Sequence, residues 1–192
     1  MIVNIKNNII NDLTKTFKTN LKCKFLTKES KKDIEDIFRK RVYEIKNINS
    51  FNELVEILYD IKSDNIQKVR LMDYFELVKF KSIILKNTTE GNYPLYGASI
   101  DKKPIKMINK YNIDTNGEDY IQLNKDGSAG YCFIRNGQFS MNSHCSLLKP
   151  IHDLDLKINV QLITLQLTNM GFGFLNSINQ TKLNNIELYL SL

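Results

Sequence analysis

The sequence predicts an α+β protein: a helical region over residues 1–68, then a mixed α/β globule over residues 69–192 built on a twisted, mainly antiparallel sheet. Three observations carry this. All eight Gly and all three Pro of the 192-residue chain lie after residue 90. Apolar residues recur at helical spacing before residue 62 and alternate in short runs after residue 120. Turn pairs, Asn116-Gly117, Asp126-Gly127 and Asn136-Gly137, punctuate the second part.

The elements follow in order. Ile5, Ile9, Ile10, Leu13 and Phe17 favour a first helix in residues 2–20. Ser30 with Asp33 has the form of a capping box. Ile34, Ile37, Phe38, Val42 and Ile45 then form one apolar stripe, with Lys31, Lys32, Asp36, Arg39 and Lys40 mostly opposite. Ser50 with Glu53 opens a further helix, whose stripe is Phe51, Leu54, Val55, Leu58 and Ile61. Asn47–Asn49 is the connection, and antiparallel packing is the simplest arrangement.

In the second part, Lys81–Lys86 is a candidate strand, Gly91–Gly97 a loop, and Ile105–Tyr111 a strand or short helix. Tyr120–Leu123 and Ala129–Ile134 read as strands, Asn136-Gly137 as a hairpin turn, and Phe139–Met141 as the returning strand. Residues 155–168 fit two periods. Their opening alternation suits a strand, whereas Leu156, Val160, Ile163 and Leu167 suit a helix. Met170–Phe174 reads as a turn, and Ile186, Leu188 and Leu190 alternate as a closing strand.

Composition excludes several classes. No apolar run approaches the roughly 20 residues of a spanning helix. Met1–Asn11 interleaves Ile with Asn and Lys and lacks the apolar core of a signal peptide. Cys23, Cys132 and Cys145 are too few for a disulfide scaffold, so reduced thiols, a cytoplasmic location and no membrane are expected. Residues 1–70 carry 15 Lys+Arg against 10 Asp+Glu, and residues 71–192 carry 12 against 11, which gives +5 and +1 of the total +6. Ile, Lys and Asn make 70 of the 192 residues, the bias of an AT-rich coding sequence, so net charge alone does not identify a nucleic-acid partner.

Chemistry-bearing motifs are absent. Cys132, His144, Cys145 and His152 lie within 21 residues but include no Cys-x-x-Cys pair, so no metal is expected. His144 and Cys145 are sequence neighbours, which point apart on a strand and cannot form a dyad. The pairs Glu118/Asp119 and Asp153/Asp155 fall in predicted loops, and no Walker A or dinucleotide fingerprint occurs. The residues therefore supply no candidate catalytic residue and no cofactor site.

Binding signals are stronger. Residues 79–111 hold Lys79, Lys81, Lys86, Lys102, Lys103, Lys106 and Lys110 against Glu90 and Asp101, interleaved with Tyr93, Tyr96 and Tyr111. Such a patch suits phosphate contact with base reading, and it also suits a solvated loop. Gly127-Ser128-Ala129-Gly130 can aim backbone N–H groups at an anion or make a tight turn. Arg39-Lys40-Arg41 is either a solvated helix face or a phosphate contact.

The order of these turns carries a family resemblance. Gly91-Asn92-Tyr93-Pro94-Leu95-Tyr96-Gly97-Ala98-Ser99 resembles the G-x-y-P-v-y-g-s-S loop of target recognition domains in the DNA specificity subunits of type I restriction-modification systems and related type II chains. Asp126-Gly127-Ser128-Ala129-Gly130-Tyr131 resembles the family's d-G-s-x-G turn followed by a strand, and Asn136-Gly137-Gln138-Phe139-Ser140 its n-G-k-f hairpin. Asn142-Ser143-His144-Cys145-Ser146-Leu147-Leu148-Lys149-Pro150 resembles its n-x-x-c-x-x-L-x-p strand, and Thr181–Leu190 its closing segment. The resemblance spans residues 69–192.

It implies a non-catalytic globule that reads half of a split double-stranded DNA target, mainly in the major groove. It also implies that 155–168 is a helix. Methylation and cleavage would come from partner methyltransferase and endonuclease subunits. The expected DNA face is the two loops Tyr93–Lys106 and Asp126–Tyr131. Lys81, Lys86, Lys102, Lys103 and Lys106 would meet phosphates, and Tyr96, Ser99, Asn142 and His144 would meet base edges. Tyr93, Gly127, Ser128, Gly130 and Tyr131 complete the set. Whole specificity subunits of the family carry two recognition domains, and one is evident here. Residues 1–68 are then a candidate element for docking a partner or forming a homodimer. The alternative is an interaction module that docks a methyltransferase and has little DNA affinity of its own.

Overall fold

Two residue periods divide the chain, and the fold follows them. A computed structural model describes residues 2–21, 27–59 and 65–192. The chain divides into two compact units, residues 1–64 and 65–192.

The first unit is helical: α1 (Ile2–Leu21), α2 (Lys28–Asn47) and α3 (Phe51–Tyr59). Lys6 donates from Nζ to the carbonyls of Lys46 and Ile48, both at 2.7 Å, and the Phe17 and Phe38 rings stack at 4.2 Å. These contacts fix α1 and α2 as antiparallel. Ile5, Ile45, Ile48, Phe51, Leu54 and Val55 are buried. The predicted α2 start shifts: Thr27 is the N-cap, its hydroxyl accepting from the Ser30 N–H, so Ser30 lies inside the helix. Ser50 caps α3 as expected, its hydroxyl accepting from the Glu53 N–H at 3.2 Å. Ile37 departs from its stripe and is 68% exposed. Cys23 and Ile61 lie outside the described residues, and so does the side chain of Leu58.

The second unit has ten strands in three sheets. The central sheet is antiparallel, in the order β2 (Phe75–Val78), β9 (Cys145–Pro150), β6 (Tyr120–Asn124), β7 (Cys132–Arg135). A mixed sheet is ordered β4 (Lys106–Ile108), β3 (Glu90–Tyr96), β8 (Gln138–Met141), β5 (Ile113–Asp114), and its β3–β8 pair is parallel. β1 (Ile66–Arg70) pairs antiparallel with β10 (Glu187–Ser191). Helices α4 (Leu156–Leu167) and α5 (Gln180–Asn185) complete the unit.

Strand alternation gives the central sheet two cores. Ile121, Leu123, Cys132 and Leu148 face Ile163 and Leu167 of α4, Leu183 of α5, and Leu188 and Leu190 of β10. On the other face, Cys145 and Leu147 meet Phe139 and Met141 of β8 and Ile113 of β5. Each fully buried Leu or Ile contributes about 1.5–3 kcal/mol.

Residues 155–168 are the helix the resemblance implies, capped by Asp155. Its inward face carries two amides as well as apolar groups. Asn159 exchanges hydrogen bonds with the backbone of Ser191, and Gln166 with that of Tyr189, all at 2.8–2.9 Å. The edge of β10 is thereby paired to side chains.

Four local readings are corrected. Lys81–Ile84 form no strand, and a 3-10 turn follows at Leu85–Asn87. Gly91–Tyr96 is part of β3, and Pro94 fits because β3 pairs with β8 only at Leu95 and Tyr96, beyond it. Ala129–Tyr131 belong to the turn, and the strand starts at Cys132. Asn136-Gly137 closes no hairpin, since it passes the chain from β7 in the central sheet to β8 in the mixed sheet. Among the described residues, no helix is long and apolar enough to cross a membrane.

Candidate nucleic-acid interface

Four connections converge at one end of the second unit: 97–105 after β3, 125–131 after β6, 142–144 after β8, and 171–178 after α4. Hydrogen bonds chain them together. The Asn142 N–H donates to the Tyr96 carbonyl at 3.1 Å, and its side-chain oxygen accepts from the His144 N–H at 3.0 Å. The Lys125 N–H donates to the His144 carbonyl at 2.9 Å, and the Lys125 carbonyl accepts from the Ile178 N–H at 2.8 Å. His144 Nδ1 lies 2.8 Å from Asp126 Oδ1.

A buried polar network between the two larger sheets holds this end in place. Gln122 donates to the Gly97 carbonyl at 3.2 Å, and Asn124 donates to the Ser99 carbonyl at 2.8 Å. Gln122 in turn accepts from Arg135 Nε at 2.9 Å. Arg135 is 7% exposed, its guanidinium lies 3.6 Å from the centre of the Tyr96 ring, and among the described residues it has no carboxylate partner. Burial lowers its pKa from the usual arginine value. The amides thus pin the 97–99 backbone, and the cation–π contact pins Tyr96.

The expected contact residues separate into groups. Ser99, Lys102, Lys103, Gly127, Ser128, Asn142 and His144 share the convergent end. Within it the Ser99 hydroxyl accepts from the Asp101 N–H, and the Asp101 carboxylate accepts from the Lys103 N–H, both at 3.0 Å. Lys102 and Lys103 remain exposed. Lys81 is exposed in the stretch whose Ile83 N–H donates to Met141 at 2.9 Å, which brings that stretch to the same end.

Other candidates have structural partners. Tyr96 is half-buried beneath Arg135. Gly130 is buried at φ +90°, its N–H donates to the Asn124 carbonyl at 3.0 Å, and a Cβ there would meet Thr168 N at 2.7 Å. It is thus the point where the turn packs on the end of α4. The Tyr131 carbonyl accepts from the Asn124 N–H at 3.0 Å. Tyr93 packs on Tyr111 at 4.8 Å, near the open end of the β3–β4 pair and away from the 97–105 connection. Lys106 donates to the carbonyl and hydroxyl of Thr88, at 3.0 and 3.2 Å, and Lys86 is exposed in the 3-10 turn that Thr88 ends.

Sequence reasoning missed Gln122, Asn124, Arg135 and Lys125. A signal existed for the first two: they are uncharged polar residues two apart on the inward face of an otherwise apolar strand. Lys125 lines a groove with Lys79, Ser82 and Ser143, and that juxtaposition of distant segments has no local signature.

Cys132 and Cys145 are buried, and burial pushes both thiols up to about 12. Cys145 opens β9 and is buried, while His144 lies in the turn before it and is exposed. Among the described residues, no three His, Cys, Asp or Glu side chains gather as metal ligands.

Comparison with known proteins decides the family. The profile of the type I restriction modification DNA specificity domain matches residues 63–191, two thirds of the chain. The chain belongs to this family. A Mycoplasma pneumoniae protein named as a type I specificity subunit is 30% identical over 124 residues, which are 62% of this chain and 32% of that protein. A type I restriction-modification S subunit of M. genitalium superposes with a TM-score of 0.54 at 22% identity, over 66% of this chain and 34% of that one. The HsdS subunit of Thermoanaerobacter tengcongensis gives 0.50 at 15% identity, over 94% and 46%. The specificity domain here therefore spans about a third of the curated relative it matches. The structural likenesses establish the fold.

Proposed function

We propose that this specificity domain binds double-stranded DNA sequence-specifically at half of a split site and directs a partner methyltransferase, with an associated endonuclease, to it. The domain itself performs no chemistry. The observation that carries this reading is the convergence of four connections presenting Lys102, Lys103 and Lys125 beside Ser99, Asn142 and His144. Mobile cations suit phosphates, and backbone-anchored amide, hydroxyl and imidazole groups suit base edges in a groove. The helical unit is the proposed docking element for the methyltransferase or for a second copy. Ile37 and Tyr43 are 68% and 71% exposed on α2, and exposed apolar groups of that size suit a partner surface.

Selection from random duplex DNA with the full chain tests the reading. A short enriched half-site is expected. If about five phosphates are neutralised, log K should fall against log salt with a slope of about −4 to −5. Lys102→Gln and Lys103→Gln should each reduce that slope by about one. Salt-sensitive binding without any enriched sequence would leave only a basic surface. No duplex binding at low salt would overturn the proposal in favour of a methyltransferase-docking module.

A further inference from the structure

The connection 171–178 carries the most exposed apolar pair in the second unit: Phe174 is 78% exposed and Leu175 fully so. The two form the apex of a tight turn. The Gly173 N–H donates to the Asn176 carbonyl at 3.3 Å, and the Asn176 N–H returns the bond at 3.1 Å. The turn is tethered from below. Lys182 donates to the Asn176 side chain and to the Ser177 carbonyl, both at 2.6 Å, and Asn176 donates to the Gly171 carbonyl at 3.2 Å. A rigid apex has little entropy left to lose when it is buried by a partner.

The position of the apex indicates the partner. A Cβ on Gly127 would lie 3.7 Å from the Phe174 ring, so the tip stands against the 125–131 connection. Lys125, Lys102 and Lys103 belong to the same convergent end. An apolar tip among cations is poorly suited to an apolar protein pocket. It is well suited to a polyanion whose interior is a stack of flat rings.

We propose that Phe174 and Leu175 form a wedge that inserts at a base step of the bound duplex, partly unstacking it and bending the DNA. This rests on the DNA-reading function proposed above. Discrimination at the wedged step would then come from how easily that step deforms, with no hydrogen bond to its bases.

The test uses the full chain, the duplex enriched by the wild type, and a Phe174→Ala/Leu175→Ala double variant. 2-Aminopurine is placed at successive positions of the duplex. With wild type, fluorescence should rise at one step. The variant should keep its far-UV spectrum and its salt slope, lose that rise, and bind the selected duplex on the order of tenfold or more weakly. Equal affinity of both proteins, with no fluorescence rise anywhere, overturns the wedge and leaves the DNA-reading function standing. A loss of wild-type affinity on replacing a thymine by uracil, without any fluorescence rise, also overturns it, since that reports methyl contact in an intact groove. Failure of the wild type to bind any duplex would remove the DNA-reading function itself, and the wedge with it.

Discussion

The Arg135 guanidinium lies 3.6 Å from the centre of the Tyr96 ring, so a strand of the central sheet clamps the end of a strand in the mixed sheet. The contact involves a buried cation that has no carboxylate partner among the described residues, and its stabilising terms are the ring faces of Tyr96 and Phe133 and the Gln122 acceptor.

Two terms compete when Arg135 is replaced. Losing the ring contact and stranding the Gln122 oxygen costs about 1–2 and 1–3 kcal/mol respectively, and relief of cation burial offsets part of this. Arg135→Met should therefore destabilise by about 1–2 kcal/mol. Arg135→Ala, which also leaves a void, should cost about 2–4 kcal/mol. Urea unfolding followed by fluorescence measures both, and equal stability of all three proteins would refute the clamp.

Gly130 and Gly137 separate two costs. Both have positive φ, +90° and +72°, but nothing lies within 4 Å of a Cβ on Gly137. Gly137→Ala should cost about 1 kcal/mol from backbone strain alone. At Gly130 the methyl would also meet Leu167 C at 2.8 Å, so α4 must move and the cost should rise to about 2–4 kcal/mol. The difference in urea midpoint between the two variants is the readout.

Gln166 is expected to be more valuable than an apolar residue of its size. Gln166→Leu removes the two hydrogen bonds that Gln166 makes with the Tyr189 backbone, costing about 2–4 kcal/mol in total. Hydrogen exchange should accelerate at the Tyr189 amide before it does so in the central sheet.

The two described cysteines should be inert. With their thiols pushed up to about 12, they stay protonated at pH 8, where an unfolded cysteine of pKa about 8.5 is part thiolate. In a Cys23→Ser background, a disulfide reagent should titrate no thiol in the native protein and two in guanidinium. The linkage sign follows. Native pKa values are raised, so this contribution to stability is whole below about pH 9 and is lost as pH rises toward about 12. Cys132→Ala/Cys145→Ala should flatten that alkaline fall.

Much of the fold was legible in local pattern. The helical stripes of α1 to α3, the alternation of β6 and β10 and the α+β division all follow from residue period. Residues 155–168 resisted because Asn159 and Gln166 occupy inward positions, which weakens the helical period that apolar residues alone would show. Asn136-Gly137 misled because turn chemistry specifies a reversal of direction but not which strand receives it. Of the candidate interface, the turns were readable in order. The Gln122–Arg135–Tyr96 network was not, since it joins residues from three strands.

The pairing of β1 with β10 has a consequence of a different kind. Ile66 lies opposite Ser191, and the Leu192 N–H donates to the Asn65 carbonyl at 2.9 Å. The first and last residues of the second unit are therefore neighbours. Such a unit behaves as a cassette: it can be grafted into a loop of another protein, or circularly permuted by a short new link, while every strand partner is retained. The convergent end of the unit and the chain around it are thus physically separable, because no strand pairing within the unit depends on what lies outside residues 65–192.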